Sequence, residues 1–572
     1  MASPRLSRVL AYAWVVALAL AVAGPALLPG FVLSYDLVFT PRQDLLPASL
    51  GVGSGLPRAV PQDAVVAVLE MVVPGMVLEK VVLLAIPLLA GFGILRLLPS
   101  TAAGLVAATL AVANPFLAQR LVIGHWGFLL AYALLPWALV LARRLRASGD
   151  PWDGVRLLLV IAAGSLTPSG SLLLAAVAVP PVLLPRSAYT LRAGVMLVLA
   201  VVATWLPWLL PALLHPAATG ADAEGTRIFS LRADAPGGLV ATALSGGGIW
   251  NSEVVLASRG TALTWVVLIL VVALAAWGAR DLVRILGRGV AAWWTLVAGL
   301  GLLAALASAM LPGPWAWLLE TVPGGGLARD AHKLLAPWVL LLAVAAGVGA
   351  ARALDRVGER SSRAAVLLAL VIVPVACQPD LLWGAGGRLH AVAYPDDWPA
   401  ARAELAASER PGDVVSFPWT AFRRFPWNDE RTVLDPAPRW LTRTTVTSDA
   451  LVVDSREGLV TIEGDDPRAA TITRVLEAGE SVAEILPGEG IGWALIARGT
   501  PGPVPDLPGW DLVLDGPDLA LYAAPQGTVA VRAVDVRLVA GVDLILAVGL
   551  LAGLAALVIR RLRVRGRSPL VR

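Results

Sequence analysis

The sequence predicts a polytopic α-helical membrane protein of about twelve transmembrane helices, with a C-terminal external α/β domain. Three observations predict it. Hydrophobic residues make up 57% of the 572 residues and charged residues only 15%, where a soluble domain of this size carries about 25% charged residues. Apolar runs of membrane-spanning length recur along the chain. Arginine collects in every second connection between those runs.

The first run, about Val9 to Leu28, follows Arg5 and Arg8. Its Ala21-Val22-Ala23 matches the small-residue pattern of a cleavable signal, but the apolar run continues past it, so an uncleaved first helix is expected. The other runs fall roughly at 76–97, 101–119, 124–142, 156–168, 170–185, 193–213, 261–279, 289–311, 333–350, 364–382 and 538–559. With a cytoplasmic N-terminus, the cytoplasmic connections read Arg96; Arg143, Arg144, Arg146 and Arg156; Arg186 and Arg192; Arg280, Arg284 and Arg288; Arg352, Arg356, Arg360 and Arg363; then the tail from Arg560 to Arg572. This obeys the positive-inside rule. The long polar segments 30–75, 214–260, 312–332 and 383–536 then lie outside. The chain divides into a transmembrane module (1–382, with its first external loop at 30–75), an external α/β domain (383–536), and a last helix with a basic cytoplasmic tail (537–572).

The net charge of +4 is nearly all arginine, Lys80 and Lys333 being the only lysines. Rich as the chain is in Ala, Val, Leu and Gly, this reads as compositional bias and implies no nucleic-acid partner. Cys377 is the only cysteine, which excludes a disulfide within the chain and a cysteine-based metal site.

The first external loop opens with Ser34-Tyr35-Asp36 and runs to Asp44. Asp36 follows Pro29-Gly30 closely and is expected at the membrane surface. A carboxylate partly desolvated there shifts its pKa upward, toward a general base's range. It serves equally as a helix cap or an interface marker. A divalent metal on Asp36 and Asp44 stays open, two carboxylates eight residues apart being a weak metal signal. Residues 64–74 read as a helix along the interface. Glu79 and Lys80, adjacent on a helix, are expected to point apart and not pair.

Spans five and six are short and meet at Ser165–Gly170, either a tight external turn or a break lining a cavity. Between spans three and four stand Asn114-Pro115, Arg120 and Gly124-His125-Trp126. An arginine beside a histidine in a short external turn suggests a phosphate site, while Trp126 also suits an interfacial anchor. Further on, Arg329, His332 and Lys333 crowd the external mouth of a span. The i, i+4 spacing of Arg329 and Lys333 places them on one helix face. Solvated loop charges are the alternative.

In the external domain, Pro395–Ser408 and Asp466–Ala478 read as helices, and Asp413–Trp419, Trp493–Arg498 and Leu519–Ala524 as strands. Among them Trp419, Arg423, Arg424, Trp427 and Asp429 interleave aromatic, basic and acidic groups. That mixture suits an acceptor-binding carbohydrate site, and equally a loop packed on the membrane module.

With these residues laid out, the chain resembles the GT-C superfamily of integral membrane glycosyltransferases. Within it, it is similar to the actinobacterial cell-envelope members that add arabinose or mannose from polyprenyl-phosphate sugars. The resemblance implies a GT-C-like fold in a bacterial plasma membrane. It implies external, inverting transfer from a polyprenyl-phosphate sugar to an envelope glycan or glycolipid. Asp36 or Asp44 matches the catalytic aspartate of the first external loop. The segments carrying Arg120 and His125, and Arg329, His332 and Lys333, match those near the lipid-phosphate pocket. A carrier or flippase for lipid-linked glycans is one alternative, but it requires charges deep in several spans, and the runs show Asp543 and little else. A non-catalytic assembly scaffold is the other, and it needs no cavity.

Overall fold

The computed structural model describes residues 4–184, 190–215, 223–455, 458–525 and 535–566. Arg186 and the tail beyond residue 566 lie outside the described residues. Among the described residues, eight helices are long and apolar enough to cross a membrane: Arg5–Leu27, Gly75–Leu97, Thr101–Val122, Trp126–Ser148, Leu263–Leu286, Arg288–Met310, Ala331–Leu354 and Arg537–Arg563. Two bent pairs, Leu191–Ala203 with Leu206–Leu214 (61°) and Arg360–Ala376 with Pro379–Gly386 (69°), raise the number to ten. About twelve were expected. Expected spans five and six form the helices Pro151–Ala163 and Pro168–Leu183, of 13 and 16 residues. At 1.5 Å per residue both fall short of a bilayer's apolar thickness. The turn joining them is packed rather than open. Thr167 caps the second helix by accepting from Gly170 N at 3.2 Å, and a Cβ at Gly170 would meet Ala131 of the neighbouring helix at 2.9 Å.

Two further expectations change. The stretch after Asn114 is not an external turn. Asn114 breaks the third span, caps the next turn by accepting from Leu117 N at 2.9 Å, and starts the helix Pro115–Val122, every residue of which is buried. Proline at its first turn fits, since that position has no N–H to satisfy. Glu79 and Lys80 do pair, at 2.8 Å. Their backbones diverge on the helix, but lysine's long stem lets its ammonium bend back to the enclosed carboxylate. Both Glu79 oxygens also accept from Val32 N, at 3.0 and 3.1 Å. This tethers the start of the first external loop to the second span. Within that loop a short helix forms over Gln62–Glu70, where one was expected over 64–74.

Among the described residues, the C-terminal region carries nine strands: β1 (Asp413–Phe417), β2 (Phe422–Arg424), β3 (Thr432–Leu434), β4 (Thr445–Val446), β5 (Leu451–Ser455), β6 (Gly458–Ile462), β7 (Ile491–Ala497), β8 (Asp511–Asp515) and β9 (Leu519–Ala523). The main sheet has the order β4-β1-β7-β9-β8. Its β4, β1 and β7 run parallel and its last two pairings antiparallel. The helices Asp397–Ala407 and Pro467–Glu477 match the expected ones. The hairpins β2–β3 and β5–β6 lie apart from this sheet.

What positions the site is the seam between the two regions. Phe31 exchanges both backbone hydrogen bonds with Val392 (2.7 and 2.9 Å), and Tyr35 N donates to Thr432 O at 2.7 Å. The loop after the first span thus adds to β3 as an extra bridge. An aromatic cluster backs the seam: Tyr394 lies 4.5 Å from Trp440 and 5.1 Å from Trp427 between ring centroids, and Trp398 5.6 Å from Trp440. Each such pair adds about 0.5–1.5 kcal/mol beyond area burial.

Candidate active site

The site is built outward from Arg120. Its helix is buried, so its guanidinium must be satisfied from within the protein. Asp330 takes both terminal nitrogens, Nη1 at 2.5 Å and Nη2 at 2.6 Å. Nε donates to Nδ1 of His332 at 3.2 Å, and Nη1 also meets Nδ1 of His125 at 2.6 Å. Arginine has donors only, so both Nδ1 atoms accept. Each neutral imidazole then carries its proton on Nε2. For His332 that proton points to Gly246 O at 3.3 Å. For His125 it points to Asp36 Oδ2 at 3.1 Å. One guanidinium therefore sets two tautomers, and one of them presents a donor to Asp36.

Burial depresses the pKa of His125, and the charges of Lys333 and Arg120 act the same way against Asp36. The neutral form is favoured, as the tautomer argument requires. Burial pushes Asp330 upward, but the charge and hydrogen bonds of Arg120, with Lys333, outweigh it and hold its carboxyl well below the usual range.

Asp36 is placed by backbone. Asp36 N donates to Ile123 O at 3.1 Å, and Ser34 Oγ to Val122 O at 2.7 Å. Gly124 makes this approach feasible: its φ is +83°, and a Cβ there would fall 2.0 Å from Leu37 N. The preceding Tyr35 has φ +48°, a left-handed conformation that costs an L-residue energy and is held by the bonds on either side. The Asp36 side chain is 40% exposed, so it reaches solvent rather than standing desolvated as expected.

Lys333 completes the set. Its ammonium lies 3.7 Å from Asp330 Oδ2 and 5.8 Å from the centre of the Phe128 ring. The charge of Asp36 acts on it, and its side chain is 23% exposed. Arg329 lays its guanidinium over Phe229 at 4.6 Å. Arg329 and Lys333 do not share an α-helical face as expected: Gly325–Ala328 and Ala331–Leu335 are separate 3-10 turns.

The structure brings Asp36, Arg120, His125, Arg329, His332 and Lys333 into one region and separates the other candidates from it. Arg120 and His332 are fully enclosed, so neither reaches a phosphate as expected; they orient their neighbours. Asp44 has a partner of its own. Arg402 of the external region holds it at 2.6 Å. Among the described residues no three His, Cys, Asp or Glu side chains come together as a metal site would require, which leaves Asp36 and Asp44 without the ligand set for a divalent ion.

Of the expected acceptor residues, Trp419 is in the core of the external region, donating to Thr473 Oγ1 at 2.9 Å. Arg423 is buried too, paired with Asp435 at 3.0 Å. Trp427 stacks on Phe425 at 4.8 Å within the aromatic cluster. Asp429 is exposed but paired with His390 at 2.6 Å. Arg424 is exposed and pairs with Glu253 at 3.2 Å. The residues missed from sequence are Asp330, Tyr35 and Glu253. Asp330 had a signal, as the lone acid inside the Arg329–Lys333 cluster; Glu253 had none.

No protein-family model matches the chain. No curated protein sequence matches it. Among solved structures, the arabinofuranosyltransferase AftD from Mycobacteria superposes with a TM-score of 0.56 at 15% identity, over 92% of this chain and 40% of that one. A mutant of the same enzyme gives a TM-score of 0.55 at 16% identity, over 92% and 42%. The chain thus spans about two fifths of the length of these enzymes. It shares the fold of a membrane glycosyltransferase, and it is a multi-pass membrane protein.

Proposed function

We propose that the chain transfers a sugar from a polyprenyl-phosphate donor to a hydroxyl of an envelope glycan or glycolipid, at the external face of a bacterial plasma membrane. The observation that carries this reading is the connected line Asp36–His125–Arg120–Asp330–Lys333. It links a solvent-reaching carboxylate to a cation through side chains enclosed between them.

Asp36 accepts the proton of the acceptor hydroxyl. That oxygen bonds to the anomeric carbon as the bond from that carbon to the phosphate oxygen breaks. The electron pair leaves with the polyprenyl phosphate, and the anomeric centre inverts. Lys333 stabilises the charge that develops on the departing phosphate, with Arg329 as its neighbour. His125 holds the carboxylate in line through its Nε2–H. Arg120 and Asp330 position rather than react. The arginine-rich connections support the external placement, and the similarity of fold to an arabinofuranosyltransferase supports the sugar-transfer class.

The experiment is transfer by the full chain in lipid nanodiscs, from polyprenyl-phosphoryl arabinofuranose and polyprenyl-phosphoryl mannose to octyl glycoside acceptors. Product with inverted anomeric configuration is expected from one donor. Failure with both, in folded protein, overturns the reading.

A further inference from the structure

Beside the acid, the same seam presents a second polar cluster. Tyr35 and Asp36 are consecutive, and the left-handed turn at Tyr35 sends their side chains to different partners. Asp36 meets His125, while the Tyr35 hydroxyl donates to Glu253 Oε2. Glu253 Oε1 accepts from Arg424 Nη2 at 3.2 Å. Arg424 is itself steadied by Nε donating to Thr432 Oγ1 at 3.2 Å. Asn251 holds the Glu253 backbone, its Oδ1 accepting from Glu253 N at 2.9 Å. The Phe422 ring lies 6.1 Å from that of Tyr35.

Two features set this cluster apart from an ordinary surface pair. The carboxylate is held from both sides yet stays 56% exposed, and Arg424 53%. A carboxylate offers about four acceptor positions, so Glu253 keeps acceptor capacity toward solvent, and Arg424 keeps donors. In addition, burial, and then the hydrogen bond to Glu253, push the Tyr35 hydroxyl up to about 12, so it stays protonated as a fixed donor. The result is a charged acceptor, a charged donor and a ring in one place, one residue from Asp36. Neighbouring hydroxyls of a sugar, with the apolar face of its ring, match that set.

We infer that Tyr35, Glu253 and Arg424 form the subsite that takes the acceptor's sugar ring and turns its hydroxyl toward Asp36. The inference rests on the transferase reading. A brace between the Glu253 segment and the β2–β3 hairpin would use the same contacts, but an exposed ion pair of this kind stabilises little. The two roles therefore differ in what a variant changes.

The test uses the full chain in lipid nanodiscs, with an octyl arabinofuranoside trisaccharide as acceptor probe. Its binding is followed by saturation-transfer NMR and its use by transfer kinetics. Glu253→Gln and Arg424→Gln should each raise the acceptor KM by about tenfold or more, the scale of one charged hydrogen bond. Donor KM and melting temperature should stay unchanged. Tyr35→Phe removes only the hydroxyl and should move acceptor KM in the same direction, even if a charge variant folds poorly. The NMR signal should vanish in Glu253→Gln and persist in Asp36→Asn. An unchanged acceptor KM, a rise in donor KM instead, or no probe signal with the unaltered chain overturns the subsite. Binding of the probe without transfer from either lipid-phosphate sugar supports the subsite and overturns the transferase reading alone.

Discussion

Arg120 Nη1 lies 2.6 Å from Nδ1 of His125, and that contact decides which imidazole nitrogen carries the proton facing Asp36. An arginine that reads in sequence as a phosphate ligand is thereby an internal organiser. Its charge is taken up by Asp330, and its shape is used to aim a histidine.

Asp36→Asn keeps the side-chain volume and removes the base. Transfer should fall by about 10²- to 10⁴-fold, the usual worth of a positioned general base, with expression and melting temperature unchanged. Steady-state transfer from the lipid-phosphate sugar measures it. Full activity in the variant removes Asp36 from the mechanism.

His125→Gln retains an N–H donor toward Asp36 and should keep more activity than His125→Ala. The pKa of His125 is depressed below its ordinary value, so the ring stays neutral as pH falls through about 6.5. The acid limb of kcat/KM should therefore lie below that pH. A limb centred at 6.5 that His125→Gln abolishes would show that the ring titrates in the working range.

Lys333→Met removes the exposed cation while keeping most of its apolar stem over Phe128. Donor KM should rise about tenfold or more, and acceptor KM should stay near its original value. The reverse pattern would assign Lys333 to the acceptor side.

Asp330→Ala leaves Arg120 charged and enclosed with no carboxylate. Breaking such a pair costs about 3–5 kcal/mol, whereas replacing both partners by apolar residues is often neutral. The single variant should melt far below the double variant Arg120→Met, Asp330→Leu. The double variant should also lose activity, because it removes the Arg120 contact that orients His125. Equal melting temperatures for single and double variants would show that the pair is not enclosed in solution.

Glu70 supplies a pH dependence outside the spans. Burial raises its carboxyl to about 7 against the partial opposition of the Gln43 N–H bond. Its folded value lies above the unfolded one, so the folded state binds the extra proton. That stabilising contribution is complete below about pH 4.5 and is lost as pH rises through 7. Glu70→Gln should flatten this slope and raise the melting temperature at pH 8 relative to the unaltered chain. A melting profile whose slope between pH 5 and 8 is unaffected by the substitution contradicts it.

Much of the fold was legible residue by residue. Asp413–Trp419 reads as a strand, and β1 occupies Asp413–Phe417. The site was legible only in part. Sequence grouped Arg120 with His125 and His332 with Lys333, but nothing local discloses that a helix as short as Pro115–Val122 is buried on every side. Trp419 and Arg423 look like sugar-binding residues because the residue types that stack on sugars also fill the cores of small α/β layers.

The sequence by itself determined that this is a multi-pass membrane protein with a folded polar cap, because apolar length and arginine spacing are one-dimensional properties that a bilayer reads directly. Only the tertiary structure decided which charges are available for chemistry. Arg120 and Asp330 are 210 residues apart, and whether an arginine meets a carboxylate or a ligand depends on which distant segment closes over it.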